Sequence, residues 1–132
     1  MRHAEVRAEI ETRFAALWTA TPVAFENVAF EPPAADGPWV RLAVTSDGAE
    51  IASIGGPPRR YRCHGHVSLE ISVPAGTGSR PAHELADQAL DLFAGWPVSN
   101  LTFLAGVPEP AQQSGQAYRL TVVVPFRHDD LR

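Results

Sequence analysis

The stretch Arg62–Leu92, RCHGHVSLEISVPAGTGSRPAHELADQALDL, carries a long alternating strand, a glycine-rich turn and an amphipathic helix in succession. Cys63, Gly65, Val67, Leu69, Ile71 and Val73 fall on one face of the strand; Arg62, His64, His66, Ser68, Glu70 and Ser72 fall on the other. Side chains alternate across a strand, so the pattern predicts one buried and one polar face over about twelve residues, against a usual ~5–6. Pro74 ends the ladder, and Gly76-Thr77-Gly78-Ser79 supplies a flexible turn with Ser79 as the expected N-cap. The helix that follows sets Leu85, Ala86, Ala89, Leu90 and Phe93 on one side and Glu84, Asp87, Gln88 and Asp91 on the other.

Toward the start, Val6, Ile10, Phe14, Leu17 and Trp18 recur at helical spacing, which predicts a helix over residues 2–19 supported by a Glu9–Arg13 pair. Thr21-Pro22 stops it. Val23–Phe30 reads as extended, anchored by Phe25, Val28 and Phe30, and Glu31-Pro32-Pro33 with Asp36-Gly37-Pro38 forms a rigid turn. Trp39–Thr45 is a strand with Val40, Leu42 and Val44 on one face and Trp39, Arg41 and Ala43 on the other. Ser46–Tyr61 reads as a long loop, in which Ala49–Ile54 can extend a hairpin.

Toward the end, Asn100–Leu104 reads as a short strand and Ala105–Gly115 as a loop. Ala117–Phe126 is a strand with Tyr118, Leu120, Val122, Val124 and Phe126 toward the core; Pro125 places its finish at a sheet edge, and His128–Arg132 is expected to be exposed. The whole predicts an α+β fold: a mostly antiparallel sheet of four to five strands with two amphipathic helices packed on one side. No repeat or linker divides the 132 residues, so one domain over 1–132 is expected.

Composition removes several kinds of chemistry. All eleven basic residues are arginine, so there is no lysine for a Schiff base or a P-loop. The single cysteine, Cys63, allows neither an intramolecular disulfide nor a multi-cysteine zinc site. A net charge of −4 argues against tight nonspecific DNA binding, which needs cations to neutralise phosphates. Residues 1–18 are charged and amphipathic rather than signal-like, and the apolar run Leu101–Val107 is too short to span a bilayer; a soluble cytoplasmic chain is expected.

The candidate motifs are weak. Gly76-Thr77-Gly78 has the strand-to-helix setting of a dinucleotide site, but Pro81 occupies the place of the third glycine. Backbone N–H groups at Ser79 remain a possible anion site, against a plain connection. Cys63 points away from His64 and His66, so the three cannot share a metal ion; the two histidines share a face that also holds Glu70. No nucleophile elbow and no specific acid–base pair stand out, so no catalytic residue, metal ligand or cofactor is expected. Arg59, Arg60 and Arg62 form the one basic cluster, either an ordinary exposed loop or a docking site for an acidic partner. Trp39 beside Arg41 on a polar strand face points to burial against another subunit.

In order and spacing, Phe25–Pro33, Trp39–Leu42, Arg60–Gly65, Pro74–Gly78, Ala82–Phe93 and Tyr118–Phe126 resemble the tail terminator-like family of long-tailed bacteriophages and gene transfer agents. The resemblance spans nearly the whole chain. It implies a structural virion protein that forms a six-membered ring on the completed tail tube, ends its polymerisation and joins tail to head. The implied partners are further copies of the chain, the tail tube protein and the head connector proteins, with DNA passing through the lumen unbound and no membrane. The implied place is the head–tail junction of the virion, reached from the host cytoplasm. Ring contacts on sheet edges and loops would then use Arg62, His64, His66 and Glu70, the Ser46–Arg60 loop with Arg59 and Arg60, and His128, Asp129 and Asp130 in the segment ending at Arg132, beside Trp39 and Arg41. The alternatives are another neck or tail component, or a small ligand-binding or enzymatic domain using the Gly76–Ser79 turn.

Overall fold

A computed structural model describes residues 1–33, 37–97 and 99–132. It contains helices α1 (His3–Leu17) and α2 (Arg80–Ala94) and seven strands. These are β1 (Val23–Ala24), β2 (Trp39–Ile51), β3 (Arg60–Pro74), β4 (Leu101–Phe103), β5 (Val107–Pro108), β6 (Gln112–Ser114) and β7 (Ala117–Leu131). They form one sheet in the order β1-β2-β3-β7-β4, with β5 and β6 also pairing β7. Only β1 runs parallel to its neighbour; every other pairing is antiparallel. The α+β class and the one-sided helix layer match expectation, and the strand count exceeds it.

The alternation of β3 is realised as read. Cys63, Val67, Leu69, Ile71 and Val73 are all buried, facing Val40, Leu42 and Val44 from β2 and Leu120, Val122, Val124 and Phe126 from β7. Val6, Ile10 and Phe14 of α1 and Ala82, Ala86, Ala89 and Phe93 of α2 close the core from one side. Phe14 stacks on Trp18 (5.4 Å) and on Phe93 (5.9 Å), and Phe93 meets Phe103 of β4 (5.0 Å). The aromatic series joins both helices to the sheet. The small residues Ala82, Ala86 and Ala89 let α2 lie close to the sheet; Leu85 and Leu90 pack at its flanks.

Several local expectations are overturned. The extended segment after Pro22 is a two-residue strand; Val28 is exposed, and Asn27 turns the chain with φ 57°. Asp36, part of the expected turn, lies outside the described residues. Leu17 is also exposed, and Glu9 pairs not with Arg13 but with the Trp96 indole N–H (3.3 Å) and the Ser99 hydroxyl (3.0 Å). Ser79 precedes α2 in helical conformation and its hydroxyl caps nothing; Pro81 in the first turn already lacks the N–H a cap would satisfy.

The Ser46–Tyr61 loop shrinks from both sides. β2 continues to Ile51 across a bulge between Ser46 and Gly48, and β3 begins at Arg60. A bulge inserts one residue and sharpens twist, so the polar run 46–51 remains a strand. The outer edge of β2 beyond β1 is closed at Val44 by side chains. Val44 N–H donates to Glu26 Oε1 (2.7 Å), and the Arg7 guanidinium donates to the Val44 carbonyl (2.6 Å). Such groups spare an edge from pairing with other chains. Burial pushes the Glu26 carboxyl up, but the Val44 N–H and the Arg7 charge outweigh it and hold the group below its ordinary range.

The largest correction concerns β7. It does not finish at an edge at Pro125 but runs on to Leu131, paired with β3 from end to end. Its other side is covered by β4, β5 and β6, two of which fall in the expected Ala105–Gly115 loop. Pro125 fits because its carbonyl accepts the Leu104 N–H (2.8 Å). A residue's N–H and C=O share one side in an antiparallel ladder, so the missing donor faces the gap where the chain leaves β4. The end is therefore not an exposed tail: His128 and Asp130 are 3% and 2% exposed.

Candidate assembly surface

With both helices on one side, the other face of the sheet is open, and β2, β3 and β7 array their polar residues across it. Register decides which charges meet. Arg62 lies opposite Asp129 on β7 and Glu50 on β2; Arg41 lies opposite Glu70, which lies opposite Thr121. Arg62 donates to Asp129 Oδ1 at 3.1 Å, and Arg60 approaches Oδ2 at 3.6 Å. His66 Nδ1 lies 2.7 Å from Asp47, His64 Nε2 lies 3.5 Å from Glu50, and Arg119 lies 3.8 Å from Glu70. Solvent screens pairs this exposed, so each contributes little to stability. Together they prescribe where charge stands rather than how stable the sheet is.

The expected contact residues thus separate into groups. Arg41, Arg60, Arg62, His64, His66, Glu70 and Asp129 share the open face. Arg59 stays in the 52–59 loop, donating to the Gly55 carbonyl (3.0 Å). Trp39 is largely covered within its own chain, by the Phe30 ring at 5.0 Å and the Arg41 guanidinium at 5.4 Å. His128 and Asp130 face the helix layer. His128 Nδ1 lies 3.0 Å from the Met1 carbonyl, and Asp130 Oδ2 sits between Arg132 (3.3 Å) and Arg2 (3.5 Å). Burial pushes the His128 imidazole below its ordinary range, against the bond to Met1. Cys63 lies opposite His128 on this face, and burial, helped by Asp130, pushes its thiol up, which keeps it protonated and unreactive.

Sequence reasoning missed Asp47, Glu50, Arg119 and Arg127. For Arg127 the signal was present: the period of two in β7 continues past Phe126, putting Arg127 and Asp129 on the polar face. For Asp47 and Glu50 there was none, because a bulge shifts their register.

Asp129 is the carboxylate around which this end of the sheet is organised. The hydrogen bond from Arg62, then the charges of Arg62, Arg60 and Arg127, hold it below its ordinary 3.8 against a small effect of burial. The same bond raises the Arg62 guanidinium above its ordinary value. A carboxyl lowered in the folded state binds fewer protons than in the unfolded chain. Its contribution is therefore present above its unfolded value and lost as pH falls through the folded one. Asp129→Asn should lower the melting temperature at pH 6–7, and the gap to the unsubstituted chain should close as the pH drops below about 4. Thermal melts from pH 7 to 2 measure this; a gap independent of pH refutes the assignment.

Among the described residues, no three His, Cys, Asp or Glu side chains are placed to hold a metal ion, and no helix is long and apolar enough to cross a membrane. The class defined by this fold and surface is a small α+β module that presents an open, charge-paired sheet.

The chain belongs to the phage tail terminator family: the family model described as phage tail terminator protein matches residues 5–126. One solved structure is similar over its whole length, with TM-score 0.65 and 26% identity, covering 100% of this chain and 96% of that one. No curated protein matches. Membership gives the chain a structural role in a phage tail, in contact with other tail components.

Proposed function

We propose that residues 1–132 act as one domain that closes with copies of itself, six to a ring, on the end of the completed tail tube. The ring stops the tube protein from polymerising further and offers its other side to the head connector, at the head–tail junction. The observation that carries this is the family match over 5–126, which takes in nearly all of α1, the whole of α2 and most of the sheet. The open face and the β2–β3 arm, whose residues 45–51 are all exposed, supply surface for neighbours around a ring. The contacts assigned to it are Arg41, Arg59, Arg60, Arg62, His64, His66, Glu70 and Asp129, with Trp39, His128 and Asp130 holding their neighbours in place.

Size and charge agree with a conduit. A compact chain of this length has a radius of gyration of ~14 Å, hence an equivalent sphere ~36 Å across, and six touching spheres enclose a hole about one sphere wide. That passes a DNA duplex. A net charge of −4 keeps such a lumen from gripping phosphates as DNA moves through.

Deleting the gene and measuring tail length by electron microscopy tests the reading. Overlong tails without heads are expected. Tails of normal length on full heads would refute it.

A further inference from the structure

Two patches on opposite sides of the sheet carry charge that the fold leaves unbalanced. The first is a cleft of about 370 Å³ at the open end of β3 and β7, lined by Arg60, Arg62, Arg127, Thr102, Asp129 and Leu131. Three guanidiniums face the one carboxylate of Asp129; Asp130, also at the cleft, is engaged by Arg2 and Arg132. Arg127 is exposed and has no ion-pair partner among the described residues. Beside it Leu131 stands 65% exposed at the end of its strand.

The second patch is the outer ridge of α2. Glu84, Asp87 and Asp91 share its solvent side. Glu84 is engaged by Arg80 at 2.7 Å, whereas Asp87 and Asp91 have no ion-pair partner among the described residues. Asp91 borders a groove of about 380 Å³ lined by Leu17, Trp18, Gln88 and Leu92, where Leu17 is 49% exposed. Each patch therefore pairs unspent charge of one sign with an exposed leucine or an apolar groove.

We propose that these two patches are the two halves of the contact between neighbouring copies in the ring, an inference that rests on the reading above. Arg127 and Arg60 of one copy meet Asp91 and Asp87 of the next, and Leu131 enters the groove beside Leu17 and Leu92. The patches differ and lie on opposite sides of the sheet, so a copy cannot satisfy both alone. Joining unlike patches is a head-to-tail contact, which closes into a ring when the rotation per copy divides a full turn. Charge complementarity at such a contact sets register and rejects wrong partners. Arg62 and Asp129 remain paired beneath and hold Arg60 and Arg127 in place.

Paired charge reversals test this in the deletion strain. One full-length variant carries Arg60→Glu with Arg127→Glu; the other carries Asp87→Arg with Asp91→Arg. Alone, each sets like charge against like and should give overlong tails, as the deletion does. Expressed together, they restore opposite charges at every contact of an alternating ring and should return tails to normal length. Purified variants should melt within a few degrees of the unsubstituted chain, which separates lost contact from lost fold. In mixtures at low salt, the two should associate at least tenfold more tightly with each other than either does with itself. Normal tails from either variant alone, or no rescue on co-expression, overturn this interface and leave the ring reading standing. If deletion of the gene leaves tail length unchanged, both fall.

Discussion

Phe93→Ala should lower the melting temperature by roughly 10–20 °C and bring the fold close to its limit at 37 °C. Phe93 is 2% exposed and sits at the centre of the aromatic series, 5.9 Å from Phe14, 5.6 Å from Trp96 and 5.0 Å from Phe103. Truncating a buried phenylalanine costs about 3–5 kcal/mol, through lost transfer energy and the cavity left behind. The loss here should lie toward the upper end, because the aromatic pairs each add ~0.5–1.5 kcal/mol beyond burial. Phe14 and Phe103 come from different elements and cannot both move into the space. Domains of this size hold ~5–15 kcal/mol in all, so one substitution removes a large share. Thermal and denaturant melts beside the exposed Val107→Ala as control would decide it; a fall under about 5 °C would show that the helix layer does not hang on this ring.

Gly65→Ala should cost about 2–3 kcal/mol, a fall of roughly 8–15 °C, although it adds a single methyl group. Gly65 lies on the buried face of β3, opposite Phe126, where the β2 bulge begins after Ser46. A Cβ there would lie 2.6 Å from the Phe126 ring and would strike the Thr45 carbonyl oxygen as well. The ring has Phe103 against it at 6.0 Å and His128 at 6.3 Å, which limits its retreat, and the carbonyl belongs to the ladder. The glycine thus lets the bulged β2 arm and the Phe126 ring approach β3 together, the usual meaning of a glycine inside a strand. Amide hydrogen exchange should rise first along 45–51 and 62–66, where the arm is anchored. A variant as stable as the parent would mean that the arm adjusts freely and that the close approach constrains nothing.

Both residues are visible in the sequence, but unequally. The aromatic Phe93 is legible as a core position because its helical stripe repeats within a few residues. Gly65 looks like one more member of the apolar face, and only the neighbouring strand and ring explain it. The candidate assembly surface divides in the same way. Arg62, His64, His66 and Glu70 are legible as one polar face, since alternation is a property of a single strand. Their partners Asp129, Asp47, Glu50 and Arg119 are not, since pairing joins residues from 14 to 67 positions apart through register and a bulge.

The C-terminal segment shows where local reading stops. By composition His128, Asp129 and Asp130 look like an exposed polar tail, and only the period of two continued from β7 hints that they belong to the strand. In the fold β7 lies between β3 and β4, and Met1 and Arg2 come down beside its end, burying His128 and Asp130 and leaving Asp129 on the open face. What the sequence determined by itself was the set of buried faces, the two helices and the class of fold, because periods of 2 and 3.6 are written into neighbouring residues. The tertiary structure alone decided the strand order, the central place of β7 and which charges the fold leaves unpaired, because these depend on which distant strands meet and in what register.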